Sequence, residues 1–478
     1  MRRVKAPYRC RVGLPPWRPG TMVRGTQGRR QQETFMLQEV RSSHRSITFA
    51  ALLAMAACTL DGAEPLPEEA NHVIAVVPMT GEFSAAGVSR LRALMLGLSQ
   101  VEAVGELARP IRLHLIDAGA QDQVETEDLL RAQLEELTIG GVRHVAAIVT
   151  SGTLALKASA PIALLDQIPY FEVSSGRGLD EVTLDAAADR TFAFRVGPLA
   201  IHEPRLITNL LAARQGEASW GRVSLLRGQY VHDKMLTRSM LGALEAAGQA
   251  GRLTAPGVVE MPNEGPFEPF IDQAMLAGAD IIYYAVSGDD ANLAFLRAAR
   301  DRGFAGKLIT SDQLAGAGLL EPDLAAYLAE GATSDEGRHF MSRRGPSEGP
   351  ELAAFEADLA AATGIATDHF AAYAYDAGVL VGLGLVASHE AGGDALRDHV
   401  LRSSIGGTPF GYGQLADVVA AIRAGQDVDY SGVSGWIDFA FDDIHGQVTP
   451  SSYHVETAVP VAPTAFGYRT LPSPVGQY

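Results

Sequence analysis

From Asn71 onward the chain alternates short apolar runs with longer stretches whose apolar residues recur at helical spacing. Val73–Val77 is the first such run and predicts a strand. Leu91, Leu94, Met95 and Leu98 after it share one face of a helix. Ile111–Ile116 predicts a second strand, and the next helix starts near Asp122 and puts Leu130, Leu134 and Leu137 on one side. Val145–Val149, a helix around residues 154–165 and Ile168–Val173 extend the series. Strands that are apolar almost throughout need cover on both faces, as in a parallel sheet with helices packed on either side. The pattern then begins again. Val223–Leu226, Val258–Met261, Ile281–Val286 and Leu308–Thr310 read as strands, separated by helices around 232–249, 267–277 and 289–302. A helix-rich stretch runs from about 350 to 404, and the strand-like runs Trp436–Phe441 and Val448–Val455 flank a turn at His445-Gly446.

Two similar α/β lobes with parallel sheets are therefore expected, joined near 195–200 and again near 310. The expected division gives 71–197 and 311–430 to the first lobe, and 198–310 and 431–458 to the second. Residues 342–350 and 459–478, rich in Pro and Gly, are expected to be exposed, the latter as a tail. Open parallel sheets take ligands beyond the carboxyl ends of their strands, so a cleft between two such lobes would bind a small molecule.

The segment before Asn71 follows different rules. Arg41, His44 and Arg45 precede the apolar run Ile47–Ala57, which stops at Cys58. A basic start, an apolar stretch and small residues at its end predict a secretory signal, and the stretch is well short of the ~20 residues that span a bilayer. Met55-Ala-Ala-Cys58 resembles the lipobox of bacterial lipoproteins, in which the cysteine is acylated and becomes the mature N-terminus; Met55 stands where leucine is usual. Residues 1–35, rich in Arg, Pro and Gly, read as an over-extended start ahead of Met36, and residues 58–70 as a flexible tether.

Charge and cysteine usage narrow the function classes. Residues 1–57 carry eleven Lys and Arg against Glu33 and Glu39, so the body is more acidic than the whole-chain charge of −17. Such a surface repels phosphate backbones, and nucleic acid is not an expected partner. The two cysteines, Cys10 and Cys58, both precede the body, which excludes an internal disulfide or a cysteine zinc site there. No His-Glu-x-x-His, Walker loop or Gly-x-Gly-x-x-Gly occurs, and no cofactor or metal is expected. The sequence reads as a binding protein, not an enzyme.

Several segments, taken in order, resemble the type I periplasmic binding proteins of the leucine/isoleucine/valine type. Val73-Ile-Ala-Val-Val-Pro-Met-Thr-Gly81 is similar to that family's opening strand and Pro-x-Thr-Gly loop, and Ile111–Asp117 to its second strand. Val145–Gly152 resembles its third strand with a serine loop, and Ile168-Pro169 with Ser174-Ser175-Gly176 the next. Phe194-Arg195 and Thr310-Ser311-Asp312 resemble the crossovers, Ala372–Ala377 an Ala-Tyr-Asp-Ala helix, and Gly435–Phe439 with Gly446 the closing hairpin.

The resemblance implies a type I periplasmic binding fold: two Rossmann-like lobes closing over a ligand by hinge motion. It implies that Ser151, Thr153, Ser174, Ser175 and Gly176 hold a ligand carboxylate, that Asp312 meets an amine, and that Tyr230 closes from the second lobe. Val231, Gly176 and Val196 depart from the family's usual glycine and threonines. Glu172, where serine is common, would oppose a ligand carboxylate if it faced the cleft. The implied partners are an amino-acid-like small molecule, an ABC permease, and a membrane reached through Cys58 in the periplasm or outer envelope. A sensing lipoprotein on the same fold, a cleft hydrolase and a lipoprotein that binds nothing are the alternatives.

Overall fold

The computed structural model describes residues 69–470, apart from 82, 120–121, 180–181, 201–202, 311–320, 331–336, 345–348, 366, 369, 390–391, 438, 441–446, 449–452 and 463–464. Cys10, Cys58 and Asp312 lie outside the described residues.

The first lobe opens with β1 (Asn71–Val77), α1 (Ser84–Ala103), β2 (Ile111–Asp117), α2 (Gln123–Glu136), β3 (Val145–Thr150), α3 (Thr153–Leu165), β4 (Tyr170–Glu172) and β5 (Ala193–Arg195). The strands lie parallel in the order β2-β1-β3-β4-β5. Because successive strand residues point to opposite faces, β1 feeds two cores. Val73, Ala75 and Val77 pack with Leu91, Leu94 and Leu98 of α1, whereas Ile74 and Val76 pack with Leu130 and Leu134 of α2 and Leu156 of α3. That two-sided burial is why the strand is apolar without alternation. At the start of α2 the Asp122 carboxylate accepts the Glu125 N–H at 2.9 Å, satisfying one of the helix's unpaired donors.

The second lobe repeats the plan with α4 (Glu203–Ala213), β6 (Val223–Arg227), α5 (Val231–Ala246), β7 (Leu253–Glu260), α6 (Glu268–Leu276), β8 (Ile281–Ala285), α7 (Asp289–Asp301), β9 (Lys307–Thr310), α8 (Pro322–Ala329) and β10 (His339–Arg344). Its parallel strands run β7-β6-β8-β9-β10. The chain then returns through α9 (Pro350–Thr363), α10 (Ala371–Ser388), α11 (Gly393–Arg402), β11 (Thr408–Phe410), α12 (Leu415–Arg423), β12 (Val428–Gly432), β13 (Gly435–Trp436), β14 (Phe439–Ala440) and β15 (Gln447–Val448). It ends with β16 (Tyr453–Ala462) and β17 (Ala465–Thr470).

The expected α/β class with two parallel sheets holds, but the sheets divide the chain differently from the expected boundaries. Phe340 and Met341 of β10 belong to the same cores as Ile309 and Leu308, so the return crossing falls between β10 and α9, not near 310. Strands β12 to β15 stay with the first lobe: β12 and β13 join β11 in a small sheet, and β14 and β15 extend the first large sheet beyond β5. The expected tail contains strands, because β16 pairs antiparallel with β10 and β17 with β16. The run Trp436–Phe441 is divided between β13 and β14, which lie in different sheets. Residues 342–350 are not all exposed, since Ser342 is fully buried beside Glu203.

The core of the first lobe is built around α10. This helix is long and apolar enough to cross a membrane by composition, yet it is buried almost throughout. It approaches α1 closely through two glycines. A Cβ on Gly378 would sit 2.6 Å from the Leu94 carbonyl, and one on Gly382 2.8 Å from Val101 Cβ. Asp376, inside the Ala-Tyr-Asp-Ala motif, accepts the Tyr430 hydroxyl at 2.9 Å, Val433 N–H at 3.0 Å and Ser434 N–H at 2.8 Å. Burial pushes its carboxyl up to about 6, even though those donors favour the ionised form. The motif therefore clamps the β12–β13 turn.

Candidate functional site

The carboxyl ends of β1, β3 and β4 carry the loops that the sequence singled out. In the first, Asp117 at the end of β2 gathers the Pro78–Gly81 loop. Its Oδ1 accepts Met79 N–H at 2.8 Å and Thr80 N–H at 3.2 Å, and its Oδ2 the Thr80 hydroxyl at 2.7 Å. In the second, Thr150-Ser151-Gly152 turns sharply into α3, with Gly152 at φ 98°. A side chain would be strained in that conformation, which explains the glycine. The third, Ser174-Ser175-Gly176, follows β4.

These loops bring four of the expected residues together. Ser151 and Ser174 hydroxyls lie 3.0 Å apart, and Thr153 and Ser175 hydroxyls 3.4 Å apart. They converge because β3 and β4 are adjacent parallel strands, with Thr150 directly opposite Glu172. Gly176 sits where the lobes meet. A Cβ there would lie 3.1 Å from Ala200 Cβ and from two ring atoms of His232, which belongs to α5 of the second lobe. Tyr230 precedes α5 and is 41% exposed.

Two findings were not anticipated. Arg90 of α1 reaches the serine pair: its Nη1 donates to Ser151 Oγ at 3.1 Å and to Ser174 Oγ at 2.9 Å. Its other edge is held by Asp368, which accepts from Nε at 3.1 Å and Nη2 at 2.7 Å, and the guanidinium lies 4.8 Å from the Phe370 ring centre. Second, Glu172 is turned inward. It pairs with Arg195 at 2.9 Å, and its Oε1 accepts the Ser174 N–H at 2.9 Å and the Ser175 N–H. Arg195 in turn donates to the carbonyls of Ser175 and, at 2.8 Å, Arg177. Glu172 therefore anchors the loop instead of facing a ligand. Below it, burial and the Glu172 charge hold the Tyr170 phenol well above its ordinary range, so it stays neutral beside Thr150 at 2.7 Å.

The second lobe offers a matching turn. Val286-Ser287-Gly288 leads from β8 into α7 with Gly288 at φ 96°, and the Ser287 hydroxyl donates to Asp233 Oδ1 at 2.6 Å. Among the described residues, no group of three or more His, Cys, Asp or Glu side chains could hold a metal ion.

A family model described as periplasmic binding protein matches residues 73–455, the whole of both lobes up to β16. The chain belongs to that family. It is a periplasmic solute-binding protein of the ABC-transporter type, and its family consists of binding proteins, not enzymes. Solved periplasmic binding proteins share the architecture. A leucine-binding protein from Thermotoga maritima is 16% identical, with 84% of this chain and 99% of that one covered at a TM-score of 0.57. A Rhodopseudomonas palustris solute-binding protein, in complex with p-hydroxybenzoic acid, is 15% identical, with 86% and 97% covered at 0.61. A type 1 periplasmic binding protein from Bordetella pertussis is 15% identical, with 84% and 100% covered at 0.61. These likenesses concern the fold. No curated protein matches the sequence.

Proposed function

We propose that this protein traps a small carboxylate-bearing solute between its lobes and presents the closed form to an ABC permease, from a membrane position fixed by acylation of Cys58. The observation that carries the reading is the convergence of the Ser151 and Ser174 hydroxyls at the rim of the first lobe, two residues from the Gly176–His232 contact with the second. Hydroxyls and helix N-termini stabilise an anion without a titratable group, as α3 with Thr153 in its first turn would do here. The structural neighbours include a leucine-binding protein and a solute-binding protein in complex with p-hydroxybenzoic acid, and both of these ligands carry a carboxylate. In this reading Thr153, Ser175 and Gly176 complete the carboxylate side, Tyr230 covers the ligand, and Asp312 takes an amine where one is present.

Closure is the testable core of the proposal. A ligand that binds the folded state alone raises its melting temperature, so a thermal-shift screen of amino acids and aromatic acids should find one with micromolar affinity, on the order of −8 kcal/mol. Small-angle scattering with that ligand should show contraction, and Gly176→Val should prevent it by pushing His232 away. A ligand that binds with no contraction in the wild type would refute closure. Cys58→Ser should release the protein from membranes; unchanged membrane retention would refute the anchor.

A further inference from the structure

We propose that Arg90 is the cleft's anion receptor, and that the ligand is recognised through a carboxylate set against this guanidinium. The inference deepens the solute-binding reading and rests on it. It follows from subtracting the bonds already made inside the site.

The Ser174 and Ser175 N–H groups, the backbone donors expected to hold a carboxylate, are occupied by the protein's own Glu172. Glu172 is in turn neutralised by Arg195, and their side chains are only 3% and 7% exposed. What remains is a set of donors. Arg90 has five N–H groups and makes four bonds through them among the described residues, which leaves one on Nη2. Both serine hydroxyls accept from Nη1, and one donates to the other at 3.0 Å, so one hydroxyl proton of the pair is left to donate. Thr153 adds a further hydroxyl at the start of α3. Asp368 is committed as an acceptor, through Oδ2 to Arg90 and through Oδ1 to the Phe370 N–H at 2.6 Å. A surface of donors around one guanidinium suits a carboxylate and repels an ammonium. Arg90 is held ready by Asp368 and the Phe370 ring, and its side chain keeps 11% exposure at the rim.

The test is calorimetric titration of the full-length protein with leucine, glutamate and 4-hydroxybenzoate, each against its own amide, and with the decarboxylated amine of each amino acid. At least one acid should bind, and its amide and amine should not. Arg90→Gln should weaken that acid about a hundredfold, because a charge-assisted contact is lost. Asp368→Asn is the discriminating variant: it removes a competing carboxylate and should tighten the acid by roughly three- to tenfold. A purely structural ion pair predicts that both variants weaken binding together, and that outcome overturns the proposal. An amide or amine binding as well as its acid, or unchanged affinity in Arg90→Gln, overturns it too while leaving solute binding intact. If no probe binds at all and none contracts the protein, both readings fall.

Discussion

Thr150-Ser151-Gly152 and Val286-Ser287-Gly288 are the same device in two lobes. Each follows the third strand of its lobe, each turns through a glycine at nearly the same φ, and each starts a helix. Their serines meet opposite charges. Ser151 accepts a hydrogen bond from the Arg90 guanidinium, and Ser287 donates one to the Asp233 carboxylate. A hydroxyl that accepts from a cation keeps its proton for another partner, whereas one that donates to a carboxylate has already committed it. A repeated backbone motif thus fixes where a side chain stands, and the residue opposite decides whether it is available to a ligand.

The largest test of this contrast concerns the ends of the fourth strands. Glu172 ends β4 and Thr310 ends β9, but only Glu172 carries a buried ion pair; Thr310 donates to the Tyr284 carbonyl at 2.9 Å. Glu172→Ala leaves Arg195 buried without its counter-charge and should lower unfolding stability in urea by about 3–5 kcal/mol. Thr310→Ala should lose about 1 kcal/mol. Equal losses would show that the two strand ends are not differently loaded. Next in size is the serine pair. Ser287→Ala removes a donor from the buried Asp233 and should cost about 1–3 kcal/mol, while Ser151→Ala should cost less than about 1 kcal/mol, since Arg90 retains Ser174 and Asp368. The reverse order would sink the comparison.

Acidification should separate the lobes. Burial lowers His339 of the second lobe to about 3, so it stays neutral against Tyr284 at 2.9 Å. Its stabilising effect is present above the ordinary histidine value near 6.5 and is lost as pH falls below it. Asp376 of the first lobe is raised to about 6, so its effect is greatest below the ordinary aspartate value and fades as pH rises through about 6. Each contributes a slope of up to about 1.4 kcal/mol per pH unit, of opposite sign. Hydrogen exchange resolved by lobe between pH 7 and 4 should show protection falling in the second lobe relative to the first. His339→Gln and Asp376→Asn should each flatten one slope, and parallel changes in both lobes would contradict the assignment. The smallest expected effect is at a helix start. Asp122→Ala should remove about 1 kcal/mol from the first lobe, whose α2 has a side-chain cap that the equivalent α6 lacks.

Most of the repeated α/β pattern was legible because parallel strands buried on both faces are apolar without interruption, and because Asp122 and the loop glycines have local jobs. The convergence of Ser151 with Ser174 followed from adjacency of their strands. Arg90 was not legible. It is one of several arginines in the chain's acidic body, and its partner Asp368 lies 278 residues away. Glu172 was noticed as a departure, but its orientation depends on Arg195, one strand over. The late strands misled for another reason. Trp436–Phe441 and Val448–Val455 read as one closing hairpin and 459–478 as a tail, yet the short strands there serve three different sheets, and nothing local in such runs says which edge they will join. The α4 helix was missed, although Leu206, Ile207, Leu210 and Leu211 form its buried stripe.

The glycine-mediated packing of α10 on α1 also sets a timetable. A little over 280 residues separate the two glycines from Leu94 and Val101, so the apolar face of α1 waits for α10 to be made. At about 5–20 residues per second of synthesis, that wait is on the order of tens of seconds. During it the first lobe has β1–β5 but not its core helix, and a chain in that condition is a substrate for holding factors and for passage through a narrow pore, not yet a rigid body. A truncation before Gly378 should freeze the protein in that adolescent state, with the groove of Gly378 and Gly382 missing and Leu94 and Val101 left facing water.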